Sequence, residues 1–289
     1  ILNDLEKLNK EYIQPQLREH FIINYGYFLT KQLKIETLIK VMKSKTAQDT
    51  GPVANVHYML ALGLMNSNKY IEAISEFKAT IEKNHNASYS PIINDINTWK
   101  PMHLLANCYA SSSNDTQAVK NWEIVIKHCK DSIDPFYDYA RYLSSISRNK
   151  EALEVLLKGL KVDSSAKRLW ELGCNIVNRD PELTVLSLDW TEKAVIEHPN
   201  SEVTNVRRGE SLMKNGRFAE ATPFFNSQSI KGSRSATAAQ LICRQMCNIG
   251  VKEDSETAQG CLKELNGWLN VLDKAPCKFD RKLAEELLN

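Results

Sequence analysis

The side chains best suited to chemistry in this chain are seven cysteines and six histidines. Cys243 and Cys247 stand four apart in a stretch of helical periodicity, and His128 abuts Cys129. Two ligands at i and i+4 on one helix can share a metal ion. Each pair lacks a second pair at usable spacing, however, and cysteine is among the residues most often buried as a small apolar group. Both pairs therefore read as core, and no metal or cofactor is assigned. No histidine sits in an HExxH arrangement, and serine elbows, glycine-rich phosphate loops and Walker sequences are absent. No catalytic residue is assigned, and the residues given are expected to carry no enzyme activity unaided.

Composition narrows the partners. The 289 residues are 43% hydrophobic and 25% charged, an ordinary globular balance that excludes a disordered chain, a collagen or a disulfide scaffold. Lys plus Arg at 37 against Asp plus Glu at 35 leaves +2, too little for a phosphate-neutralising surface. Charge runs such as Lys40 to Lys45 and Glu253 to Glu256 read as solvated faces, with no basic cluster interleaved with aromatics, so nucleic acid is not expected. The longest apolar run, around Leu60 to Met65, falls far short of the ~20 residues of a membrane helix. An odd cysteine count at irregular spacing, with no charged-then-apolar leader before Leu5, points to a reduced, cytoplasmic compartment. The sequons at Asn86 and Asn114 would matter only in a secreted protein. The chain opens at Ile1 without Met, as a fragment would.

Only 11 Gly and 9 Pro are available for tight turns, which favours helices over a many-stranded sheet. A period is visible in the helical segments. In LALGLMNSNKYIEAISEFKATI, apolar residues at helical spacing flank a polar turn at Asn66 to Lys69. The layout returns in LLANCYASSSNDTQAVKNWEIVI and YARYLSSISRNKEALEVLLKGL, and more weakly around Gly26, Gly173 and Gly209. The small or apolar residues opening the second helices are Leu38, Ala73, Ala118, Ala152, Ser187 and Ala221, at intervals of 35, 45, 34, 35 and 34. Ala61, Ala106, Ala140, Gly173 and Gly209 lie eight places into their units, and Phe77, Trp122, Leu156 and Phe225 four places after the second small residue. Small against large is how helices approach closely.

These residues resemble the tetratricopeptide pattern over roughly residues 20 to 230. The expected fold is all-α, an α-α superhelix of about six helix-turn-helix units plus terminal capping helices. Its parts would be an N-terminal capping helix over residues 1–19, the array over 20–230 with an insertion at about 84–98, and a C-terminal helix pair and cap over 231–289. The fourth unit departs from the pattern. About two extra residues fall near Arg179 to Glu182, and Ser187 and Thr191 replace the usual Ala and aromatic.

The resemblance implies a groove walled by the first helices, with positions five and nine of each unit facing into it. Those are Tyr58 and Leu62, His103 and Asn107, Tyr137 and Arg141, Trp170 and Cys174, and Val206 and Glu210. The groove candidates are Tyr58, His103, Asn107, Tyr137, Arg141, Trp170 and Glu210, since rings with interspersed amides and charges can grip an extended peptide. A familiar subclass clamps the carboxylate of chaperone tails, but its Lys and Asn are replaced here by Tyr58 and Leu62, so that ligand is disfavoured. The expected function is an interaction scaffold for a protein or peptide. As an alternative, the stretch from Trp99 to Leu143, within a likeness of about fifty residues that fades after Leu160, is similar to the repeat region following the catalytic domain in some bacterial and phage family-2 glycosyltransferases. The array would then be the non-catalytic part of a longer enzyme, positioning an acceptor or pairing two copies as a homo-oligomer.

Overall fold

The computed structural model describes residues 15–48, 54–83, 94–226, 232–249, 257–277, 279–285 and 287, and these contain helices and turns but no strand. Two compact units divide the chain, residues 1–138 and 139–289. The first contains α1 (Pro15–Lys31), α2 (Ile35–Met42), the short α3 (Lys45–Gln48), α4 (Ala54–Asn66), α5 (Tyr70–Lys83), a 3-10 turn at Asn94–Asn97, α6 (Lys100–Ser111) and α7 (Asp115–His128). Helix α8 (Asp134–Ser145) begins in the first unit and ends in the second. The second continues with α9 (Asn149–Leu160), α10 (Lys167–Arg179), a 3-10 turn at Pro181–Leu183, α11 (Thr184–Glu197), α12 (Glu202–Lys214), α13 (Phe218–Phe225), α14 (Arg234–Met246), α15 (Leu262–Leu272) and α16 (Arg281–Glu285). Within each unit successive helices pack in chain order, α4 on α5 and α5 on α6 in the first, α9 through to α15 in the second. This is the all-α arrangement of stacked hairpins that the repeat implies.

One turn closes nearly every hairpin. The N–H of the residue after the turn donates back five places, from Lys34 to Leu29, Lys69 to Leu64, Asn114 to Tyr109, Arg148 to Leu143 and Arg217 to Leu212, each at 2.9 Å. The residue before each donor is left-handed: Leu33, Asn68, Ser113, Ser147 and Gly216, with φ between 55° and 75°. This is the Schellman closure of a helix C-terminus, which satisfies carbonyls the helix leaves open. Glycine takes the left-handed place in one of these five turns, so the low glycine count places no limit on turns of this kind. The α10–α11 connection is different. There Asp180 is extended and its side chain accepts from the Glu182 N–H at 2.9 Å, capping the 3-10 turn that takes up the extra residues.

Packing follows small against large. Ala61, Ala73, Ala106, Ala118, Ala140, Ala152 and Ala221 are all 0% exposed, with Phe77, Trp122, Leu156 and Phe225 buried beside them. A Cβ on Gly209 would come within 2.5 Å of the Phe225 ring, and one on Gly26 within 2.6 Å of the Met42 methyl. A Cβ on Gly173 would overlap the Trp190 indole. That last contact shows how the fourth unit keeps the pattern. Trp190, one place before Thr191, supplies the large side chain, while Thr191 is buried and donates its hydroxyl to the Ser187 carbonyl at 2.6 Å. Ser187 shares a 2.6 Å hydrogen bond with Ser211, so the polar replacements are satisfied rather than orphaned.

Of the capping helix expected over residues 1–19, residues 1–14 lie outside the described residues, as does most of the 84–98 insertion, which is described from Asn94 onward. At the other end α14 packs on α15, with Trp268 edge-on to Phe225 at 5.7 Å and donating to the Ser235 carbonyl at 2.8 Å. The short α16 then packs on α14, where Gln245 donates to the Leu283 carbonyl at 3.2 Å.

Gly173→Ala is expected to lower stability by about 1–3 kcal/mol, because the added methyl overpacks a close helix contact; an unchanged urea midpoint would show that no such contact exists. Leu33→Gly is expected to raise stability by about 1 kcal/mol by relieving the left-handed backbone of an exposed leucine; a lower thermal midpoint would contradict it.

Candidate functional site

In the first unit, α6 and α8 bring a polar group together around one carboxylate. His103 and Asn107 are one helical turn apart on α6, so both point the same way. His103 Nε2 lies 3.2 Å from Asp138 Oδ2, and Asn107 Nδ2 donates to the same oxygen at 3.4 Å. Trp122 on α7 fixes the imidazole from behind, its Nε1–H donating to His103 Nδ1 at 3.3 Å. An indole can only donate, so Nδ1 accepts and Nε2 carries the proton toward Asp138. Asp138 keeps 22% of its side chain exposed, whereas His103 keeps 8%. The result is a held carboxylate with an amide beside it. Tyr137, half-buried, is its neighbour on α8.

The second unit carries a different group where α10 and α12 lie side by side. Arg207 donates from Nε to Asn175 Oδ1 at 2.8 Å and from Nη1 to Glu210 Oε2 at 2.6 Å. Lys214 pairs with the other Glu210 oxygen at 2.6 Å and donates to the Asn178 carbonyl. Asn178 in turn donates to the Arg207 carbonyl at 3.2 Å, stitching the two helices, while its buried Oδ1 has no donor among the described residues. Two cations meet on one carboxylate here.

The expected groove residues thus divide by burial. Tyr58 is buried edge-on against Phe77 at 6.1 Å, inside its own hairpin. Trp170 is buried with its ring 5.4 Å from that of Trp190 and its N–H given to the Ser164 carbonyl at 2.8 Å. His103 and Glu210 are buried but belong to the polar groups above, and Asn107, Tyr137 and Arg141 keep surface. Asp138, Asn175, Arg207 and Lys214 were not among the candidates. The last two were readable, since they stand three before and four after Glu210, the spacing of ion pairs on one helix face.

The cysteines are thiols of the interior. Burial pushes Cys108, Cys174 and Cys243 up to about 12, so they stay protonated and poorly nucleophilic at neutral pH. Cys129 donates to the Ser132 carbonyl at 3.2 Å. Among the described residues no group of three potential ligands could hold a metal ion. His57 has a carboxylate behind it, with Glu76 2.6 Å from Nδ1, but Lys83 Nζ stands 2.9 Å from Nε2, where a hydroxyl or thiol nucleophile would have to sit.

No protein-family profile and no curated protein matches the chain. Among solved structures it is similar to the C-terminal part of a TPR repeat-containing protein from Cytophaga hutchinsonii, at 12% identity and a TM-score of 0.62 over 92% of this chain and 99% of that one. It is also similar to the MamA protein, at 12% identity and a TM-score of 0.51 over 63% of this chain and 93% of that one. Likeness at such identity concerns the backbone. Together with the recurring closure and the small-against-large contacts, it shows that the chain has the tetratricopeptide-repeat fold.

Proposed function

We propose that the chain is a protein-interaction scaffold, taking a peptide or protein segment on the polar faces carried by its first helices. The supporting observation is that amide and charged side chains there are already held by internal hydrogen bonds while some keep surface, as Asn107 and Asp138 do. Groups held in place lose little freedom on binding, and amides beside charges can pair with the alternating donors and acceptors of an extended backbone. The face at Asp138 suits a basic partner segment and the face at Arg207 and Lys214 an acidic one. A second copy of the chain is one such partner, giving a homo-oligomer. All seven cysteines are free, which supports a reducing, cytoplasmic setting.

Nucleic acid does not enter the proposal, given a net charge of +2. Neither does a membrane span, since no helix among the described residues is long and apolar enough to cross one. The glycosyltransferase-associated alternative draws no support from the solved structures named above.

Selection from a displayed random-peptide library tests the proposal. A basic selected peptide is expected to bind Asn107→Ala/Asp138→Asn at least about tenfold more weakly, a loss of about 1.4 kcal/mol, with circular dichroism unchanged. Failure to select any peptide, or equal binding of the basic peptide to both chains, would count against it.

A further inference from the structure

The outer side of α1 is apolar where a surface helix is ordinarily charged. Ile22, Ile23, Gly26 and Leu29 are buried, on the side where α1 packs on α2 and α4. At about 100° per residue, positions 17, 21, 24 and 28 form one line on the opposite side. They hold Leu17, Phe21, Asn24 and Phe28. Leu17, Phe21 and Phe28, with Tyr27 beside them, each keep between 48% and 54% of their surface. Single exposed apolar residues are ordinary, but a line of them marks an interaction surface. On α11, by contrast, Asp189 and Glu192 separate the exposed Val185 from Ile196.

Intervals of four, three and four read the same in both directions. Such a line is the seam of a two-stranded coiled coil, and a copy turned end over end presents its own line in register. Antiparallel pairing about a two-fold axis places Leu17 over the partner subunit's Phe28 and Phe21 beside the partner subunit's Asn24. It also sets the two helix dipoles against each other, the favourable arrangement. No charge lies in the seam, and a net charge of +2 sets up little repulsion between whole chains. Asn24, the polar residue of the seam, donates its amide to the His20 carbonyl at 2.8 Å, so that donor is engaged within α1 before any pairing.

Three half-exposed rings and a leucine leave roughly 400 Å² of apolar surface on each copy. Two such faces, with the flanking side chains of the paired helices, approach the ~1,000 Å² at which a specific contact begins. A weak, reversible dimer is the association of that size.

We infer that α1 is a homodimerisation surface, receiving α1 of a second copy in antiparallel orientation through Leu17, Phe21 and Phe28. None of these side chains belongs to the polar faces, so the inference goes beyond the scaffold proposal and the two stand or fall separately.

Sedimentation velocity on the full chain, from about 1 to about 200 µM, brackets the micromolar affinity of a weak contact and is expected to show a reversible monomer–dimer equilibrium. Phe21→Asp, at an exposed position that leaves the core intact, is expected to weaken the dimer at least about tenfold by putting a carboxylate into a dry seam, with circular dichroism unchanged. Val185→Asp, an equally drastic change at another exposed apolar site, is expected to leave the equilibrium as it was. Added salt is expected to keep the dimer or strengthen it, whereas a dimer made through the polar faces would weaken. Photoreactive p-benzoylphenylalanine in place of Phe21, in a mixture of isotopically heavy and light chains, is expected to give heavy–light adducts within α1. A monomer at every concentration, a dimer that persists in Phe21→Asp or is lost equally in Val185→Asp, or dissociation by salt would overturn the inference. So would adducts confined to one chain, the result expected where the chain's own residues 1–14 occupy this face.

Discussion

Two helices can touch along their backbones only where a side chain is nearly missing, and that constraint runs through both units. Gly173 receives the Trp190 indole, Gly209 the Phe225 ring and Gly26 the Met42 methyl, while Ala61, Ala106 and Ala140 hold the same place in the other first helices without any exposed surface. Burying each large partner contributes about 1.5–3 kcal/mol, and the contact also sets the rotation of each helix about its axis. That rotation decides which side chains keep surface. His103 and Asn107 meet Asp138 because α6 is held by Ala106 against the second helix of its hairpin.

The recurring closure does a second job. A left-handed residue followed by a hydrogen bond five places back turns the chain in so few residues that the second helix must return along the first. Where the closure is missing, between α10 and α11, a 3-10 turn capped by Asp180 takes its place, and the large packing residue moves from position 191 to Trp190. The core then acquires a polar seam: Ser187 with Ser211, Thr191 with the Ser187 carbonyl, and Arg208 donating to the Leu188 carbonyl at 2.6 Å. Burial holds the Arg208 guanidinium below its usual range, and Glu192, 3.4 Å away, opposes that shift.

Much of this was legible from residue type and interval. Ala73, Ala118 and Ala152 with Phe77, Trp122 and Leu156 announce hairpins, because a small residue and a large one four places on must share a face. Trp190 was not legible by counting, since a shift of one place on a helix turns a side chain by about 100° and only the altered turn restores it to Gly173. The candidate faces were less readable. Positions five and nine predict orientation but not how far a ring extends back into its own hairpin, which is where Tyr58 and Trp170 go. Arg207 and Lys214 fell outside those positions although their spacing around Glu210 carries an ion-pair signature. Asp138 was a different case, because its partners His103 and Asn107 come from another hairpin and no local pattern announces them.

Paired small and large side chains, rather than helix propensity alone, hold these helices together. A double-mutant cycle on Gly209→Ala and Phe225→Leu in chemical denaturation tests it most directly, since the added methyl and the trimmed ring occupy the same space. A compensating coupling of at least about 1 kcal/mol is expected, with the double variant more stable than the sum of the single effects allows. Additivity within about 0.3 kcal/mol would contradict it.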